Sequence, residues 1–276
     1  MPINDNLGSR MKIFYENIPK TKLMRRCPVI IRIDGRAFHT FTKGFNRPFD
    51  DILSQSMKET TKYLCENIQG AVLGYTQSDE ISILLTDYAT LETDAWFDYE
   101  VQKLCSISAS MATMAFNKFF AENVKHWVSI SGREIFEALT LEQRIAYEHT
   151  LNNAVEKGAM FDARCFNIPK EEVANYFYWR QLDAMRNSIQ MVGQANFSHR
   201  ELQFKSTKQI ISLLETHCGI NWHSLPIWQQ RGSACIKHKV SVDYPDGTYV
   251  LRNKWKIDNE IPIFKDNGRE YIEDLI

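Results

Sequence analysis

The sequence lacks several features that would place it in a class at once. It has no apolar run near the ~20 residues of a membrane-spanning helix, and its charges nearly balance, with 33 Lys and Arg against 34 Asp and Glu. Its polar N-terminus predicts no signal peptide, and internal repeats and Gly/Ser linkers are absent. We therefore expect a soluble, cytoplasmic protein that forms one unit over residues 1–276, with no membrane contact. Any binding of a polyanion must come from local patches of positive charge.

The six cysteines add no chemistry of their own. They include no C-x-x-C pair, and five of them lie in apolar stretches, which is typical of reduced, buried thiols in a cytosolic protein. His217, Cys218 and His223 lie close together, but their spacing matches no zinc pattern. The sequence therefore predicts ordinary core and loop residues at these positions.

Hydrophobic periodicity predicts a mixture of helices and strands. Short β-branched runs bounded by proline, glycine or acidic residues predict strands, and apolar residues at three- and four-residue spacings predict helices. The predicted strands cover residues 29–33, 71–75, 81–85, 160–167, 231–240 and 247–257, and the predicted helices cover residues 6–25, 48–67, 94–122 and 170–218. Residues 124–158 are more polar and predict an irregular excursion from the core.

The first elements follow the order β-α-β-β-α-β, which is typical of the ferredoxin-like arrangement with its antiparallel sheet and two helices on one face. Polymerase palm domains use this arrangement, but so do many proteins that are not enzymes. We expect an α+β fold with a palm-like core over about residues 28–167. Additional helices and a C-terminal β-hairpin, with its turn at Pro245-Asp246-Gly247, would occupy about residues 168–276.

Two acidic segments carry the first chemical signal. Asp34-Gly35 follows the predicted buried strand, and Asp79-Glu80 lies at the tip of the predicted hairpin. Alone, the first is an ordinary turn sequence and the second a solvated pair of carboxylates. In the expected fold the strand and the hairpin are neighbours, so Asp34 and Asp79 converge. Nucleotidyl transfer uses such a pair to bridge two Mg²⁺ ions about 3.5–4 Å apart, with a backbone carbonyl as a further oxygen ligand.

The segment after the first aspartate suits a nucleoside triphosphate. Backbone amides in a turn can point at phosphate oxygens, and cationic side chains bind those oxygens with charge-assisted hydrogen bonds. The alternative is a mixed-charge loop without function. The candidate nucleotide-binding residues of this segment are Asp34, Gly35, Arg36, Ala37, Phe38, His39, Lys43 and Arg47.

Together the segments Arg32–His39 and Gly74–Glu80 resemble the tRNA-His guanylyltransferase family, the 3′–5′ RNA polymerases. The resemblance continues through Trp96-Phe97, Gln102-Lys103, Phe161–Arg164 and Tyr178–Gln181, and covers most of residues 10–240. It implies an α+β palm-type fold and a two-Mg²⁺ nucleotidyltransferase that uses ATP and GTP or other nucleoside triphosphates.

The same resemblance assigns residue roles. It implies that Asp34, the carbonyl of Gly35 and Asp79 hold the metal ions, and that Ser78 joins the triphosphate contacts. Arg47 matches a further basic phosphate contact. With Glu80 beside Asp79, the candidate catalytic carboxylates are Asp34, Asp79 and Glu80.

The reaction implied by the resemblance has two steps. ATP first activates the 5′-monophosphate of a tRNA, and the 3′-hydroxyl of an incoming nucleotide, typically GTP, then attacks the adenylylated end. Family members are typically homotetramers. Eukaryotic members carry His-Ile-Asn-Asn where this chain has Met185–Ser188, which keeps an asparagine and lacks the histidine. This departure resembles the bacterial and archaeal branch, whose implied activity is templated repair of 5′-truncated tRNAs.

Two further patterns are candidate contacts with a second nucleotide or with tRNA. One is a polar line along a predicted helix face, flanked by aromatic residues; a buried structural network or a subunit contact is an equal alternative. The other is a row of cations on one face of the last strand, which also suits the solvent face of an edge strand. Together with Lys103, which belongs to the family resemblance, the candidate residues of these patterns are Arg180, Asp183, Arg186 and Asn187 on the helix and Arg252, Lys254 and Lys256 on the strand.

Two other functions compete with this interpretation. A palm-type nucleotide cyclase or cyclic-dinucleotide synthase would use the same metal geometry without tRNA, but the sequence has no Gly-Gly turn before the second acidic pair. A tRNA-binding scaffold with an inactive palm would not need both Asp34 and Asp79, because an unused pair of facing carboxylates destabilises its site.

Overall fold

A six-stranded antiparallel sheet organises the chain. The computed structural model describes residues 6–131, 140–243 and 249–276. The strands are β1 (Val29–Gly35), β2 (Ala71–Gln77), β3 (Glu80–Leu85), β4 (Phe161–Asn167), β5 (Ser233–Asp243) and β6 (Tyr249–Asp258). They lie in the order β4-β1-β3-β2-β5-β6, and each neighbouring pair is antiparallel. The fold is therefore a mixed α+β fold built on one antiparallel sheet.

Helices cover both faces of this sheet. The α-helices are α1 (Leu7–Met11), α2 (Phe38–Phe41), α3 (Asp51–Asn67), α4 (Val101–Ser131), α5 (Leu141–Lys157), α6 (Lys170–Asn196), α7 (His199–Leu202), α8 (Thr207–Cys218), α9 (Ile227–Arg231) and α10 (Glu270–Glu273). Residues Ile31 and Ile83 pack with α3 and α4 in one core cluster, whereas Ile30 and Leu84 pack with α6 in another. Successive residues of a strand point to opposite faces, so a strand that is covered on both faces is mainly apolar. In β3, the residues after Glu80 are all apolar except Ser82.

An aromatic cluster anchors the end of the sheet at which β1 finishes. The ring of Phe38 contacts the rings of Phe41, Phe116 and Phe161 at centroid distances of 5.1, 5.6 and 5.2 Å. Aromatic pairs in such tilted and edge-to-face geometries stabilise a core beyond the area they bury. The cluster therefore holds the segment after β1 firmly against α4 and β4.

Most strands lie where the sequence predicts them, but the helix predicted over residues 6–25 ends early, at Glu16. Only α1 and one π-helical turn (Lys12–Glu16) form in that region. The basic turn that follows is tied to the chain after β3, because Asp87 accepts hydrogen bonds from the Arg25 side chain and the Arg26 backbone. These contacts hold residues 25 and 26 in a turn, in which Arg26 has a φ of 61° that a helix does not allow.

The prediction of an irregular excursion over residues 124–158 is also wrong. Helix α4 continues to Ser131, and α5 begins after a capping box in which Thr140 and Gln143 satisfy each other's backbone N–H groups. Helix α4 begins later than predicted, because Trp96–Tyr99 forms a separate 3₁₀ turn in which Phe97 and Asp98 have positive φ. The late hairpin is confirmed, and β5 pairs with β2, so that the hairpin extends the main sheet. Its predicted turn, Pro245-Asp246-Gly247, lies outside the described residues.

Within the described ranges, the structure contains no helix that is both long enough and apolar enough to span a membrane.

Candidate active site

The structure brings the two acidic segments together at one end of the sheet. Asp34, near the end of β1, lies opposite Glu80, the first residue of β3, in the antiparallel register. The N–H of Gly35 donates to the carbonyl of Asp79 over 3.1 Å. Strand pairing therefore fixes the position of the first acidic segment relative to the β2–β3 turn.

Asp34 and Asp79 form a carboxylate pair, and neither makes a salt bridge within the described residues, where the neighbouring Arg164 pairs with Asp162. Burial raises the pKa of Asp79, and the nearby Asp34 carboxylate contributes to that rise. The Ser78 hydroxyl donates to Asp79 Oδ1 at 3.1 Å and only partly offsets it. Two such carboxylates gain most from a bound cation, because it would relieve both the desolvation and the mutual repulsion.

Position 35 requires glycine, because the backbone there lies against the ring of Phe38. A Cβ atom on Gly35 would lie 2.3–2.8 Å from three ring atoms of Phe38, which is closer than non-bonded carbon atoms pack. The Phe38 ring is 5% exposed and belongs to the aromatic core. Phe38 can therefore contact a nucleotide only through its backbone or its ring edge, and its side chain mainly orients the turn.

An open cavity adjoins the turn that carries Asp79; we call it the carboxylate cavity. Its volume is about 600 Å³. Of the predicted nucleotide-binding residues, those that line it are Gly35, Ala37, Phe38, His39, Lys43, Arg47, Ser78 and Asp79. Asp34 and Arg36 do not line it. Sequence reasoning missed the remaining lining residues, which are Thr42, Phe45, Asn46, Pro48, Asp50, Leu53, Met191 and Gln194.

Two residues with left-handed backbone frame the carboxylate cavity. Ala37 has φ 54° and Ser78 has φ 51°, a conformation that non-glycine residues adopt at an energetic cost. Ala37 begins the short helix α2, and Ser78 forms the tight turn between β2 and β3. Strain of this kind is concentrated at functional sites, and here it lies on both sides of one cavity.

Glu80 is engaged by a buried arginine. Arg180 donates from Nε and Nη2 to the two carboxylate oxygens of Glu80 at 2.7 and 2.6 Å. It also donates to Asp183 at 3.0 Å, and Asp183 pairs with the exposed Arg186. Burial raises the pKa of Glu80, and Arg180 opposes that rise. The carboxylate of Glu80 is therefore committed to this network, while Arg180 lies almost entirely out of solvent.

Asp34 lies on a charged surface, to which the segment Phe161–Arg164 of the family resemblance contributes. In register across the sheet, Asp34 lies opposite Asp162, and Arg32 lies opposite Arg164. The guanidinium carbon of Arg32 is 5.9 Å from the half-exposed Trp179 ring. Side chains alternate between the two faces of a strand, so Arg32 and Asp34 of β1 share one face. This alternation predicts from the sequence that the two charges lie on one surface.

Of the remaining candidate contacts, Lys103 and the cations of β6 lie away from the carboxylates, whereas Asn187 lies near them. Lys103 lies beside Glu100 and the Phe97 ring, near the start of α4. Three strands separate β1 from β6, a distance of about 19 Å at ordinary strand spacing. The cations Arg252, Lys254 and Lys256 are exposed on β6, so only an extended ligand could contact both them and the carboxylates. Asn187 on α6 lines a second cavity, close to the β2–β3 turn.

The residues at the carboxylates fit a divalent ion only with help from substrate. Within the described parts of the chain, no group of three or more His, Cys, Asp or Glu side chains is placed to hold a metal. Two aspartates and a backbone carbonyl leave the other positions of a Mg²⁺ ion to water and substrate phosphates, which is how Mg²⁺ is usually held at phosphate sites. The two neighbouring carboxylates, neither of which makes a salt bridge within the described residues, are the feature that fits such an ion.

Comparison with known proteins agrees with the resemblance seen in the sequence. A family model described as tRNAHis guanylyltransferase matches residues 8–169. A bacterial tRNA(His) guanylyltransferase (Thg1)-like protein solved in complex with ATP is 42% identical, with a TM-score of 0.77 and 98% of both chains covered. A structure of such a protein in complex with GTP is 41% identical, with a TM-score of 0.74 over 98% of this chain and 99% of that one. The tRNA(His) guanylyltransferase of Saccharomyces cerevisiae is 25% identical over 76% of this chain and 83% of its own.

Proposed function

The chain belongs to the tRNA-His guanylyltransferase family, and from that premise we propose that it repairs 5′-truncated tRNAs by templated 3′–5′ addition. It is a nucleotidyltransferase of the guanylyltransferase-like type, which adds nucleotides to the 5′ end of tRNA. The finer assignment, repair in place of untemplated G addition to tRNA-His, is the proposal. It is supported by Met185–Ser188, which lacks the histidine of the eukaryotic pattern.

One observation carries the chemistry. Neither Asp34 nor Asp79 makes a salt bridge within the described residues, and Asp79 lies at the edge of a cavity large enough for a nucleotide. The residues that would hold Mg²⁺ are Asp34, Asp79 and the carbonyl of Gly35. When bound, Mg²⁺ supplies charge stabilisation to the attacking and leaving oxygens of an in-line displacement.

The protein's own groups bind and orient the triphosphate of ATP, GTP or another nucleoside triphosphate. The exposed side chains of His39, Lys43 and Arg47 line the carboxylate cavity and would contact the phosphate oxygens. The Gly35 N–H to Asp79 carbonyl hydrogen bond fixes the two acidic segments. Glu80 acts as a positioning residue, because its contacts with Arg180 hold the start of β3 directly after Asp79.

We assign residues 28–167 to a palm-type, ferredoxin-like core. The strand order β4-β1-β3-β2, with α3 between β1 and β2 and α4 and α5 between β3 and β4, supports this assignment. The rest of the proposal follows the family resemblance. It comprises a homotetramer, a cytoplasmic location, and tRNA contacts by Arg186, Asn187 and the cations of β6.

The family relationship favours this function over a nucleotide cyclase. A cyclase would form product from nucleotide alone, whereas the proposed enzyme requires RNA with a 5′-monophosphate. Incubation with labelled ATP and Mg²⁺, with and without 5′-monophosphorylated tRNA, therefore separates the two activities.

The decisive experiment follows 5′-end extension of a tRNA that lacks its first nucleotide, beside full-length tRNA-His, with each nucleoside triphosphate supplied separately. Addition of only the nucleotide complementary to the opposing 3′ strand is the expected result. Addition of G to full-length tRNA-His, whatever base lies opposite, would contradict the repair role while keeping the reaction class.

A further inference from the structure

A single buried carboxylate holds the turn that carries Arg47 to the carboxylate cavity; we call residues 46–50 the Arg47 turn. Asp50 lies out of solvent immediately before α3. Its Oδ1 accepts a hydrogen bond from the N–H of Leu53, and its Oδ2 accepts one from the N–H of Asn46, each over 3.0 Å. Because Arg47 lies between Asn46 and Asp50, this carboxylate fixes the backbone on both sides of it.

A tyrosine from a distant helix supplies a third hydrogen bond to the same carboxylate. Tyr147 of α5 donates from its hydroxyl to Asp50 Oδ2 at 2.5 Å, across 97 residues of sequence. Burial raises the pKa of Tyr147, and the charge of Asp50 adds to that rise, so the hydroxyl keeps its proton and acts as the donor. A short hydrogen bond to a carboxylate is stronger than one between neutral groups. Tyr147 therefore restrains the position of Asp50.

Helix α5 is itself held firmly against the rest of the fold. The Tyr147 ring lies edge to face on the Trp127 ring of α4, with centroids 5.0 Å apart, and Leu151 is buried one turn further along α5. A second contact reaches the chain just before the Arg47 turn, because a Cβ atom on Gly44 would lie 3.1 Å from the methyl group of Thr150. The helix thus supports the segment that precedes α3 at two points.

We infer that Tyr147 is a positioning residue for triphosphate binding, which acts through Asp50 to hold Arg47 at the phosphates. This inference rests on the proposed function, which places a triphosphate in the carboxylate cavity. Tyr147 is not among the residues that line that cavity, so its effect must pass through the Arg47 turn. Asp34 and Asp79 are held separately, by the pairing of β1 with β3 and the hydrogen bond beside it. Loss of the Tyr147 hydroxyl should therefore weaken triphosphate binding and leave the metal-binding carboxylates in place.

Tyr147→Phe tests the inference, because it removes the hydroxyl and keeps the ring that packs on Trp127. Calorimetric titration of the full-length protein with ATP or GTP, in Mg²⁺ and without RNA, measures the Kd. For the nucleotide held in the carboxylate cavity, the Kd should rise about tenfold, the order of effect expected from losing one hydrogen bond to a charged group. Extension of 5′-truncated tRNA should show the same rise in KM and an unchanged kcat, since the contact acts equally on the ground state and the transition state.

A double-mutant cycle identifies the route of the effect. Arg47→Ala should raise the Kd by itself, because it removes the phosphate contact. If Tyr147 acts by holding Arg47 in place, adding Tyr147→Phe to Arg47→Ala should cause little further change, so that the two effects are not additive. Full additivity would mean that Tyr147 acts by another route, and it would overturn the inference.

A matched control separates positioning from a general loss of stability. Thr140 caps the start of α5 in a capping box with Gln143, and it makes no printed contact with Asp50. Thr140→Ala should therefore destabilise the same helix and lower the melting temperature, as Tyr147→Phe does, while leaving Kd and KM unchanged. If the two variants change Kd alike, or if neither changes it, α5 has only a structural role and the inference is wrong.

The outcomes also separate the inference from the proposed function. Extension of truncated tRNA by the wild-type protein supports the proposed function whatever Tyr147→Phe does to the Kd. If the wild type binds nucleotide but does not extend tRNA, the proposed function fails, and the double-mutant cycle still decides whether Tyr147 positions Arg47. If the wild type binds neither ATP nor GTP, both are wrong.

Discussion

Arg180 and Glu80 form a two-pronged ion pair across 100 residues of sequence, with Nε and Nη2 of the arginine donating to separate carboxylate oxygens. Both side chains are 8% exposed. Because Glu80 directly follows Asp79, this pair links helix α6 to the turn that carries a candidate metal ligand. The pair stabilises the fold, and it affects the chemistry only by fixing the position of Asp79.

Arg180→Ala should lower the free energy of unfolding by about 3–5 kcal/mol, because it leaves the Glu80 carboxylate buried without its partner. Chemical denaturation of the two proteins measures the change. Arg186→Ala is the control, since Arg186 pairs with Asp183 from an exposed position and its loss should cost under about 1 kcal/mol. Equal effects of the two substitutions would show that burial of the Arg180 pair contributes little.

Asp34→Asn and Asp79→Asn should each reduce nucleotide transfer by at least about 10³-fold, because metal-ion catalysis supplies several kcal/mol of charge stabilisation. Single-turnover extension of 5′-truncated tRNA at saturating Mg²⁺ measures the loss. Asp94→Asn, whose side chain is 85% exposed, should retain the wild-type rate. If either active-site variant also retained it, the assignment of these two carboxylates to the metal site would be wrong.

Asp79→Asn should stabilise the metal-free protein at neutral pH, by about 1 kcal/mol, the order of a carboxylate repulsion at a partly buried site. The sign follows from the raised pKa of Asp79 in the folded state. Below the ordinary carboxyl pKa of 3.8, Asp79 is protonated in both states and the two proteins are equally stable. As pH rises from there through the folded-state pKa, the unfolded wild type loses its proton first and the wild type becomes less stable.

Thermal unfolding without metal, followed from pH 3 to pH 8, measures this difference. The variant should melt above the wild type at neutral pH, and the gap should close in acid. Added Mg²⁺ should then raise the melting temperature of the wild type and leave Asp79→Asn almost unchanged, because a ligand stabilises only the protein that binds it. A stabilisation that persists unchanged in acid would point to a cause other than the charge of Asp79.

Short-range patterns in the sequence were sufficient to predict the sheet and the two acidic segments. A β-branched run between Pro28 and Asp34 predicts β1, and the apolar runs beside residues 76–80 predict the β2–β3 hairpin. The capping-box residues Thr140 and Gln143 also indicate the start of α5. The polar composition of residues 124–158 nevertheless led to the prediction of an irregular segment. Local propensity and helix capping can therefore be predicted from the sequence when the interacting residues lie within a few positions of each other.

Contacts between distant residues could not be predicted in the same way. Nothing near Arg180 in the sequence indicates that it pairs with Glu80, and nothing near Asp87 indicates that it holds the turn at Arg25 and Arg26. The second cavity, which Asn187 lines, also depends on α9, a helix too short to give a periodic signal. These features are set by tertiary packing, which overrides or adds to local preference.

Gly35→Ala should lower the free energy of unfolding by about 1–3 kcal/mol, the usual cost of overpacking a filled site, because its Cβ would overlap the Phe38 ring. It should also weaken nucleotide binding, since moving Phe38 displaces the turn that lines the carboxylate cavity. Combining Gly35→Ala with Phe38→Leu replaces the ring by a smaller side chain and makes room for the new methyl group. The double variant should therefore be more stable than the sum of the two single effects predicts, and simple additivity would argue against the overlap as the cause.

Replacing Arg252, Lys254 and Lys256 together by alanine should weaken tRNA binding and flatten its dependence on salt. Each phosphate contact that is lost reduces the slope of log K against log[salt] by about 0.7–0.9, because fewer counterions are released on binding. The three residues lie on the exposed edge strand β6, about 19 Å from β1, so the KM for free ATP should remain unchanged. Equilibrium binding of 5′-monophosphorylated tRNA between 50 and 200 mM salt measures the slope. An unchanged slope would remove β6 from the tRNA-binding surface, whereas a lower slope with an unaltered KM for ATP would place the body of the tRNA across β6.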